Sequence, residues 1–332
     1  MTLLSVVVVS WNSCELTNRC LATLEDALVH AHARDELESE VIVVDNGSVD
    51  GTIEMLASDH PGVDVVALEA NRGFASGANA GLRRACGRIV LLLNTDAWVD
   101  RAGIAACLAE FEREPNVGVV GPQLLHTDGR LQNSIHRLPS LASELAPTWL
   151  PEVLWPARFP SKRWPPRSPI DVPAVKGAAF FVRREVIERV GPLCEDYFFF
   201  LEETDWCRRI CLAGWRIRLV PAARVVHLSG ASSKRRDPIR TRIEFHRSLY
   251  RFLQIHRGGR VATAVRWLRV AKNAAALVGL AAASLFSGAR RTQLGERWWL
   301  LVWHWRGRPD DWGLDAEWFL ASRVETAGGA GG

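Results

Sequence analysis

The sequence lacks the short motifs that mark several common enzyme sites. No G-x-G-x-x-G follows the first apolar run and no G-x-x-x-x-G-K-[ST] occurs, so a Rossmann dinucleotide site and a P-loop lose their main support. The G-x-S-x-G elbow and the H-E-x-x-H zinc motif are absent as well. The predicted ends of strands offer carboxylates and amides instead.

Cysteine is present but forms no pattern. The seven cysteines are odd in number and include no C-x-x-C, which argues against a disulfide framework or a zinc ribbon and favours a reducing cytosol. The opening MTLLSVVVVSW has neither a basic region nor a small-residue cleavage site. We therefore predict a buried strand there and not a signal peptide.

Charge is distributed unevenly along the 332 residues, whose composition is that of a globular protein. Residues 234–308 carry 17 Lys and Arg against three Asp and Glu, while the rest of the chain carries 24 against 34. This divides the chain into an acidic body, residues 1–233, and a basic, Trp-rich helical tail, residues 234–332. A tail of this charge implies an anionic partner, either nucleic acid or a membrane surface.

The start of the body alternates short apolar runs with helical stretches, which predicts an α/β fold with a mostly parallel sheet flanked by helices. The predicted strands are 3–9, 41–45, 63–68, 89–93 and 117–121, with helices near 15–29, 50–58, 74–86 and 101–114. Because ligands bind at the carboxyl ends of such strands, residues 1–122 are the predicted nucleotide-binding half.

Residues 123–233 form the predicted acceptor half of the body. Residues 139–173 are rich in Pro, Trp and Ser, and we expect an irregular excursion there. A strand within 172–183, two helices and two short strands at 216–220 and 224–228 follow, and beyond residue 233 the pattern is wholly helical.

Asp45 ends the second predicted strand, in VVDNGSVDGT. A carboxylate there can accept a hydrogen bond from the imide N–H of a pyrimidine base. The alternative is that Asp45 and Ser48 merely cap a helix that opens near Asp50.

Asp96 follows the fourth predicted strand, in LLLNTDA, and Asn94 faces the same side two residues earlier. These oxygen donors suit Mg²⁺ or Mn²⁺, which would neutralise a diphosphate leaving group. The alternative is a turn-forming Asn and a helix-capping Asp.

The segment NRGFASGANAGLRRA carries glycine at every fourth position, so one stripe of the predicted helix can approach a strand or a ligand closely. Close helix–strand packing is the more ordinary explanation. It leaves Arg72 and Asn79 as the candidate ligand-binding residues of this segment.

The cluster YFFFLEETDWCRR places Glu202, Glu203 and Asp205 at the start of a predicted helix. The helix dipole alone favours acidic residues there. A carboxylate shielded by aromatic rings also has a raised proton affinity and can act as a general base on a sugar hydroxyl. His227, in VVHLSG, closes the last strand; a lone histidine is more often structural, but the Gly-Ser and basic residues that follow suit a phosphate or metal environment.

Seven pieces of residues 3–232, taken in order, resemble the family 2 glycosyltransferases with a GT-A fold, especially their rhamnosyltransferase-like branch. The pieces are VVVVSWN, VVDNGSVDGT, NRGFASGANAGL, LLLNTDA, GAAFFVRR, EETDWCRR and HLSG. The resemblance implies an inverting, metal-assisted transfer from a nucleoside-diphosphate sugar, dTDP-rhamnose or a UDP-sugar. The acceptor would be a hydroxyl of a glycan or lipid-linked glycan in cell-surface polysaccharide synthesis.

The resemblance also assigns roles to individual residues. Asp96 and His227 would bind Mg²⁺ or Mn²⁺, with Asn94 at the first position of the family's D-x-D-type motif. Glu203 stands where the family usually has the Asp of an E-D pair and would be the base, with Glu202 and Asp205 as supporting or acceptor-binding residues. The expected nucleotide-sugar site comprises Ser10, Trp11, Asn12, Asp45, Asn46, Arg72, Asn79, Asn94, Thr95 and Asp96.

The tail combines a weakly hydrophobic stretch with tryptophan and arginine. Residues 273–289 are uncharged, at the lower limit for a spanning helix. The four tryptophans between 298 and 305 are interleaved with arginine, which favours the headgroup region. We expect residues 234–308 to lie on the anionic inner face of the cell membrane, with no nucleic-acid partner. The alternative is a helical subdomain packed on the body.

Two other functions compete with glycosyl transfer. A sugar nucleotidyltransferase would show a Gly-rich loop with Arg and Lys after the first strand, where this chain has SWNSCE. A non-catalytic, membrane-bound nucleotide-sugar-binding scaffold is the other, and the departures at Asn94 and Glu203 are its best arguments.

Overall fold

The structure is a computed structural model that describes residues 3–32, 38–147, 149–155, 161–163, 165–228, 237–284 and 288–316. Its strands are β1 Leu3–Ser10, β2 Glu38–Asp45, β3 Asp64–Ala67, β4 Ile89–Asn94, β5 Ala97–Val99, β6 Val117–Leu125, β7 Ile170–Asp171, β8 Ala179–Arg183 and β9 Arg216–His227. Its α-helices are α1 Cys14–His32, α2 Thr52–Asp59, α3 Phe74–Arg84, α4 Arg101–Arg113, α5 Leu141–Leu145, α6 Trp149–Leu154, α7 Arg184–Val190, α8 Glu202–Leu212, α9 Pro238–Arg257, α10 Gly259–Ser284 and α11 Gly288–Trp305.

The strands of the described residues form a single sheet in the order β3-β2-β1-β4-β8-β6-β9-β5, with β7 paired to β9. Strands β3, β2, β1 and β4 are parallel, as predicted. Strand β8 is antiparallel to β4 and β6, and β5 and β7 are antiparallel to β9. The fold is thus the expected α/β sheet flanked by helices, with a parallel half that brings the carboxyl ends of β1, β2 and β4 to one edge.

One predicted boundary in the second half of the body was wrong. The strands predicted at 216–220 and 224–228 are one strand, β9, because its pairing with β6 continues past an irregularity at Pro122 and Gln123. The strand predicted within 172–183 is confined to Ala179–Arg183. The stretch predicted as irregular, 139–173, contains the short helices α5 and α6, and Ser140 caps the first of them by accepting a hydrogen bond from the Ser143 amide.

Close packing of helix α3 on β1 explains its glycine stripe. A Cβ atom added to Gly77 would lie 2.8 Å from Val9 Cγ1, and one added to Gly81 would collide with Val7. Side chains of β1 and β2 on this face, among them Val7 and Val44, join the same buried cluster as Ala75 and Ala78 of α3. The packing explanation of this segment is therefore confirmed.

The helices of the tail pack on the body through an apolar cluster of their own. Tyr197 and Leu201, just before α8, are buried together with side chains of α9, α10 and α11 that include Phe252, Leu253 and Trp303. Trp303 is wholly buried, whereas Trp298 and Trp305 are exposed. None of the helices in the described ranges is both long and apolar enough to cross a bilayer.

Candidate active site

The parallel half of the sheet brings three of the predicted strand ends side by side. Ser10 of β1 lies opposite Asp45 of β2, and Val9 lies opposite Asn94 of β4. Because neighbouring strands are about 4.8 Å apart, Asp45 and Asn94 are separated by about 10 Å across the edge. This spacing lets one nucleotide contact both.

One carboxylate oxygen of Asp45 accepts a hydrogen bond within the protein, and the other can accept one from a ligand. The buried carboxylate accepts a hydrogen bond from the Ser48 amide at 3.0 Å through Oδ2, while Oδ1 is buried and has no hydrogen-bond partner among the described residues. The following helix α2 begins after Gly51 (φ 83°) and has no side-chain cap. The arrangement therefore fits an acceptor for a base N–H better than the capping alternative.

Three neighbouring polar residues of the predicted nucleotide-sugar site hold the loops in place. Ser10 Oγ is 2.8 Å from Thr17 Oγ1 in α1, and Asn12 Oδ1 accepts a hydrogen bond from the Val49 amide at 2.8 Å. Asn46 accepts a hydrogen bond from the Arg72 amide at 3.0 Å. The side chains of these residues shape the site.

The other predicted nucleotide-sugar residues differ in position. Trp11 is half-buried against Leu314 and Ala316, Arg72 is exposed, and Thr95 is buried in the turn after β4.

Asn79 lies away from this edge. Its buried side chain donates to Leu193 O at 2.9 Å and to Glu195 Oε1 at 2.8 Å, and it accepts from the Leu193 amide at 3.1 Å. These bonds tie α3 to the loop after α7, because a buried amide must satisfy both its donor and its acceptor. The structure therefore does not bring Asn79 to the nucleotide edge.

Asp96 and His227 lie together although they are far apart in the chain. The antiparallel pairing of β5 with β9 places Ala97 opposite His227, and His227 Nε2 is 3.4 Å from Asp96 Oδ1. Leu228 also donates its amide hydrogen to Asp96 O at 2.9 Å. Sheet pairing thus fixes the two predicted metal ligands beside Asn94. The Gly-Ser and basic residues at 229–236, predicted to add a phosphate environment, lie outside the described residues.

Gln132 determines which nitrogen of His227 carries the proton. Its Nε2 donates to the backbone carbonyls of Leu125 and His227, so its Oε1 faces His227 Nδ1, at 3.1 Å. An acceptor at that position requires Nδ1 to be protonated, which leaves the lone pair of Nε2 directed toward Asp96.

A carboxylate oxygen and an imidazole lone pair this close favour a cation between them, so the pair fits Mg²⁺ or Mn²⁺. Within the described ranges no group of three or more His, Cys, Asp or Glu side chains could hold a metal ion. Further ligands would have to come from elsewhere, and a diphosphate offers suitable oxygens.

Glu202 and Glu203 begin helix α8 after a strained turn. Phe200 and Leu201 both have positive φ, 75° and 65°, in the left-handed region that non-glycine residues rarely adopt. The Phe74 amide donates to Phe198 O at 2.8 Å, an approach that Gly73 permits because a Cβ there would lie 2.9 Å from Phe198 Cα. The turn therefore depends on the loop of the nucleotide half.

The two glutamates have unusual environments. Desolvation raises the pKa of Glu203 to about 7, against the opposing effects of backbone hydrogen bonds and of Lys176. Burial and the neighbouring Glu203 raise the pKa of Glu202 well above its usual range, and Glu202 Oε2 has no hydrogen-bond partner among the described residues. A carboxylate with a pKa near neutrality has the proton affinity that a general base needs.

Asp205 lies on another side of α8 from Glu203. It is buried and contacts His256 Nε2 of α9 at 2.7 Å and Arg209 Nε at 2.8 Å. The contact with Arg209 is an ion pair within α8, and the contact with His256 joins α8 to the tail.

Residues 132–136 connect the two parts of the site. Gln132 contacts His227 at one end, and His136 Nε2 lies 3.4 Å from Glu203 Oε1 at the other. Cα atoms four residues apart are at most about 14 Å from each other. Asp96, His227 and Glu203 therefore border one region.

The site residues predicted from the sequence did not include Gln132, His136 and Lys176. Gln132 and His136 stand at even spacing in LQNSIHR, a pattern that places alternate side chains on one side of an extended segment. The polar character of every second residue there was the available signal.

Solved structures define the class of fold. A mannosyltransferase from Pyrobaculum calidifontis, solved with GDP-mannose and Mn²⁺, aligns over 90% of this chain and 84% of its own with a TM-score of 0.52 at 22% identity. The TarS protein of Staphylococcus aureus, residues 1–349, aligns over 76% and 66% with a TM-score of 0.50 at 17% identity. The chain thus has a fold found in glycosyltransferases.

Sequence comparison identifies the family. The family model described as glycosyl transferase family 2 matches residues 5–191. The N-acetylglucosaminyl-diphospho-decaprenol L-rhamnosyltransferase of Mycobacterium tuberculosis is 31% identical over 280 residues, which cover 80% of this chain and 88% of that protein. The chain belongs to glycosyl transferase family 2, and the expectation of a glycosyltransferase in glycan synthesis is confirmed.

Proposed function

We propose that this protein transfers a rhamnosyl residue from dTDP-rhamnose to a sugar hydroxyl of a lipid-diphosphate-linked acceptor. The observation that carries the proposal is the border shared by Asp96, His227 and Glu203. The mycobacterial rhamnosyltransferase, similar over 80% of the chain, supports the choice of donor sugar and acceptor. A UDP-sugar is the second candidate donor, since Asp45 Oδ1 would bind uracil and thymine alike.

The proposed reaction is a single displacement with inversion at the anomeric carbon. Glu203 takes the proton of the acceptor hydroxyl, the hydroxyl oxygen forms the new bond to the anomeric carbon, and the bond to the diphosphate oxygen breaks. Asp96 and His227 would hold Mg²⁺ or Mn²⁺ beside the diphosphate end of the donor. The bound cation supplies Lewis-acid stabilisation of the charge that develops on the leaving diphosphate.

Asp45 and Asp96 perform separate parts of donor binding. Asp45 Oδ1 accepts the N–H of the base, and its position about 10 Å from Asn94 leaves room for the ribose and the diphosphate between them. Glu203 has no role in holding the nucleotide in this proposal. Loss of its charge is therefore expected to affect turnover rather than donor affinity.

We also propose that the tail associates with the surface of the cytoplasmic membrane. Trp267 and Val278 of α10 and Trp298 and Trp305 of α11 are exposed by 57%, 77%, 56% and 87%. Exposed tryptophan among basic residues suits the headgroup region of anionic lipid. A lipid-linked acceptor would then be reached without a spanning segment.

Transfer of labelled rhamnose from dTDP-rhamnose to a short-chain N-acetylglucosaminyl diphospholipid tests the function. Glu203→Gln is expected to lower kcat by about 10²–10⁴-fold, the usual contribution of a general base, and to leave donor binding unchanged. Glu185→Gln, at a half-exposed glutamate of α7, is the matched control and should keep full activity. Product of retained configuration, or full activity of Glu203→Gln, would contradict the proposed mechanism.

A further inference from the structure

A cavity of about 890 Å³ lies between α9, α10, α11 and the segment that ends in α5. His136 is part of its lining and also contacts Glu203, with Nε2 3.4 Å from Oε1. Phe200, from the strained turn before α8, lines it as well. The cavity therefore reaches the proposed general base through His136.

The lining carries more positive than negative charge. Its cations are Arg242, Arg269, Lys272 and Arg297, and its carboxylates are Glu144 and Glu296. Arg269 forms two hydrogen bonds with Glu144, at 2.8 and 2.9 Å, and Arg242 contacts Glu296 at 3.0 Å. Lys272 and Arg297 have no carboxylate partner among the described residues, so the balance is two positive charges.

The basic groups are held by contacts between helices. Asn273, buried in α10, donates to Arg297 O at 2.7 Å and accepts from Arg297 Nη1 at 3.3 Å. Arg269 also donates to His246 Nε2 at 3.1 Å. Burial, with Arg269 adding to it, lowers the pKa of His246 well below its usual range, so His246 adds no charge. A cavity built in this way is a prepared site for a doubly charged anion.

Exposed apolar side chains stand beside this cavity. Leu145 follows the lining residue Glu144 and is 59% exposed. On α11, Trp298 follows the lining residue Arg297 and is 56% exposed. An anion-binding cavity with an apolar border suits an amphiphile that has a charged head and a long hydrocarbon tail.

We propose that this cavity binds the diphosphate of the lipid-linked acceptor, with Lys272 and Arg297 as its ligands. The acceptor sugar extends past His136 toward Glu203, and the isoprenoid chain leaves along Leu145 and Trp298. This inference rests on the proposed function and adds a second diphosphate site to it. The volume of the cavity lies within the usual range of about 300–1,000 Å³ for sites that bind small molecules.

Binding of farnesyl diphosphate, measured by calorimetry without vesicles, tests the site directly. Lys272→Gln/Arg297→Gln is expected to weaken binding by about tenfold or more, because the variant loses two charge-assisted contacts with the diphosphate. Arg290→Gln/Arg291→Gln removes the same charge from exposed positions of α11 outside the cavity and should bind like the wild type. Farnesol, which lacks the diphosphate, should not distinguish the variants.

Sedimentation with phosphatidylglycerol vesicles separates the cavity from the lipid surface. The surface variant Arg290→Gln/Arg291→Gln should lose vesicle binding. The cavity variant Lys272→Gln/Arg297→Gln should lose farnesyl diphosphate binding. Equal losses in both variants and both assays would show that total charge alone matters and would overturn the proposal. If Lys272→Gln/Arg297→Gln unfolds, the single variant Lys272→Gln replaces it in the test, because Lys272 is exposed and its loss should not disturb the fold. An unchanged affinity of Lys272→Gln for farnesyl diphosphate would again overturn the proposal.

Kinetics distinguish failure of this inference from failure of the proposed function. In the cavity variant the acceptor KM should rise by about tenfold or more while the donor KM stays constant. The KM of an alkyl N-acetylglucosaminide without diphosphate should also stay constant. A wild type that transfers no sugar but binds farnesyl diphosphate would refute the function alone, whereas normal transfer with an unchanged acceptor KM would refute the cavity alone.

Discussion

At the scale of single residues, the proton affinity of Glu203 determines when the proposed base is ready. Burial raises its pKa from its usual value of 4.5 to about 7, and His136, Lys176 and Glu202 are the titratable groups around it. Because only the ionised form accepts a proton, kcat/KM should rise with pH and level off above an apparent pKa near 7. A pH profile of transfer measures this limb.

Lys176 supplies an internal check on that profile. Its positive charge lowers the pKa of Glu203, so Lys176→Gln is expected to shift the rising limb to higher pH. The folded protein also binds this proton more tightly than the unfolded chain does, so Glu203 makes the free energy of unfolding fall as pH rises from about 4.5 to 7. A profile that does not move in Lys176→Gln, or that has no limb near neutral pH, would argue against Glu203 as the base.

Gln132 is a positioning residue for the proposed metal site, because it fixes the tautomer of His227 through the 3.1 Å contact between its Oε1 and Nδ1. Gln132→Leu is expected to weaken Mn²⁺ binding by about 10–100-fold, the usual effect of losing such a partner. Electron paramagnetic resonance of Mn²⁺ in the presence of dTDP measures the affinity. The adjacent Asn133 is exposed, so Asn133→Ala is the matched control and should bind Mn²⁺ like the wild type.

At the scale of elements, Gly73 couples the nucleotide half to the turn before α8. It has φ 86°, and a Cβ there would meet the backbone of Phe198. Gly73→Ala is expected to reduce the free energy of unfolding by about 1–3 kcal/mol, because backbone strain and a steric clash add up. Urea denaturation measures the change.

Gly62 provides the matched control for that substitution. It has ordinary backbone geometry and no atom within 4 Å of an added Cβ. Gly62→Ala should therefore leave the free energy of unfolding within about 0.5 kcal/mol of the wild type. Equal stability of the two variants would show that the approach of Phe198 to Gly73 is not required.

The local pattern of the first 122 residues was sufficient to predict the parallel strands, because continuous apolar runs between helical stretches determine both pairing and direction. The placement of Glu203 beside His136 was not predictable in this way. It depends on β8 inserting antiparallel between β4 and β6, and on two non-glycine residues with positive φ, Phe200 and Leu201. Neither feature has a local sequence signal, since both arise from long-range packing.

Single residues show the same limit within the site. The positions of Asp45 and Asp96 at the carboxyl ends of strands were predictable, because each stands at or just after the end of an apolar run. Asn79 was misjudged because its hydrogen bonds to Leu193 and Glu195 join segments more than 110 residues apart. Gln132 was missed for the same reason, as its partner His227 lies 95 residues away.

At the scale of the whole molecule, the tail joins the body through a buried cluster and still presents tryptophan to its surroundings. Trp298→Ser/Trp305→Ser is expected to reduce binding to phosphatidylglycerol vesicles by about tenfold or more, because each side chain is exposed and suits the headgroup region. Vesicle sedimentation measures the loss.

The control for the vesicle assay changes two exposed apolar residues outside the tail. Ile53 and Val65 are exposed by 36% and 38%, and they belong to α2 and to the edge strand β3. Ile53→Ser/Val65→Ser should bind vesicles like the wild type. If it loses binding as the tryptophan variant does, the contact is not specific to the tail.

Calorimetry of dTDP-rhamnose binding with and without Mn²⁺ tests the central claim most directly, with wild type, Asp96→Asn and Glu203→Gln compared side by side. We predict that Mn²⁺ strengthens binding in the wild type and in Glu203→Gln, and that Asp96→Asn loses this dependence. The account would be contradicted if Mn²⁺ did not change the affinity of the wild type for dTDP-rhamnose. It would also be contradicted if Mn²⁺ strengthened binding in Asp96→Asn as much as in the wild type.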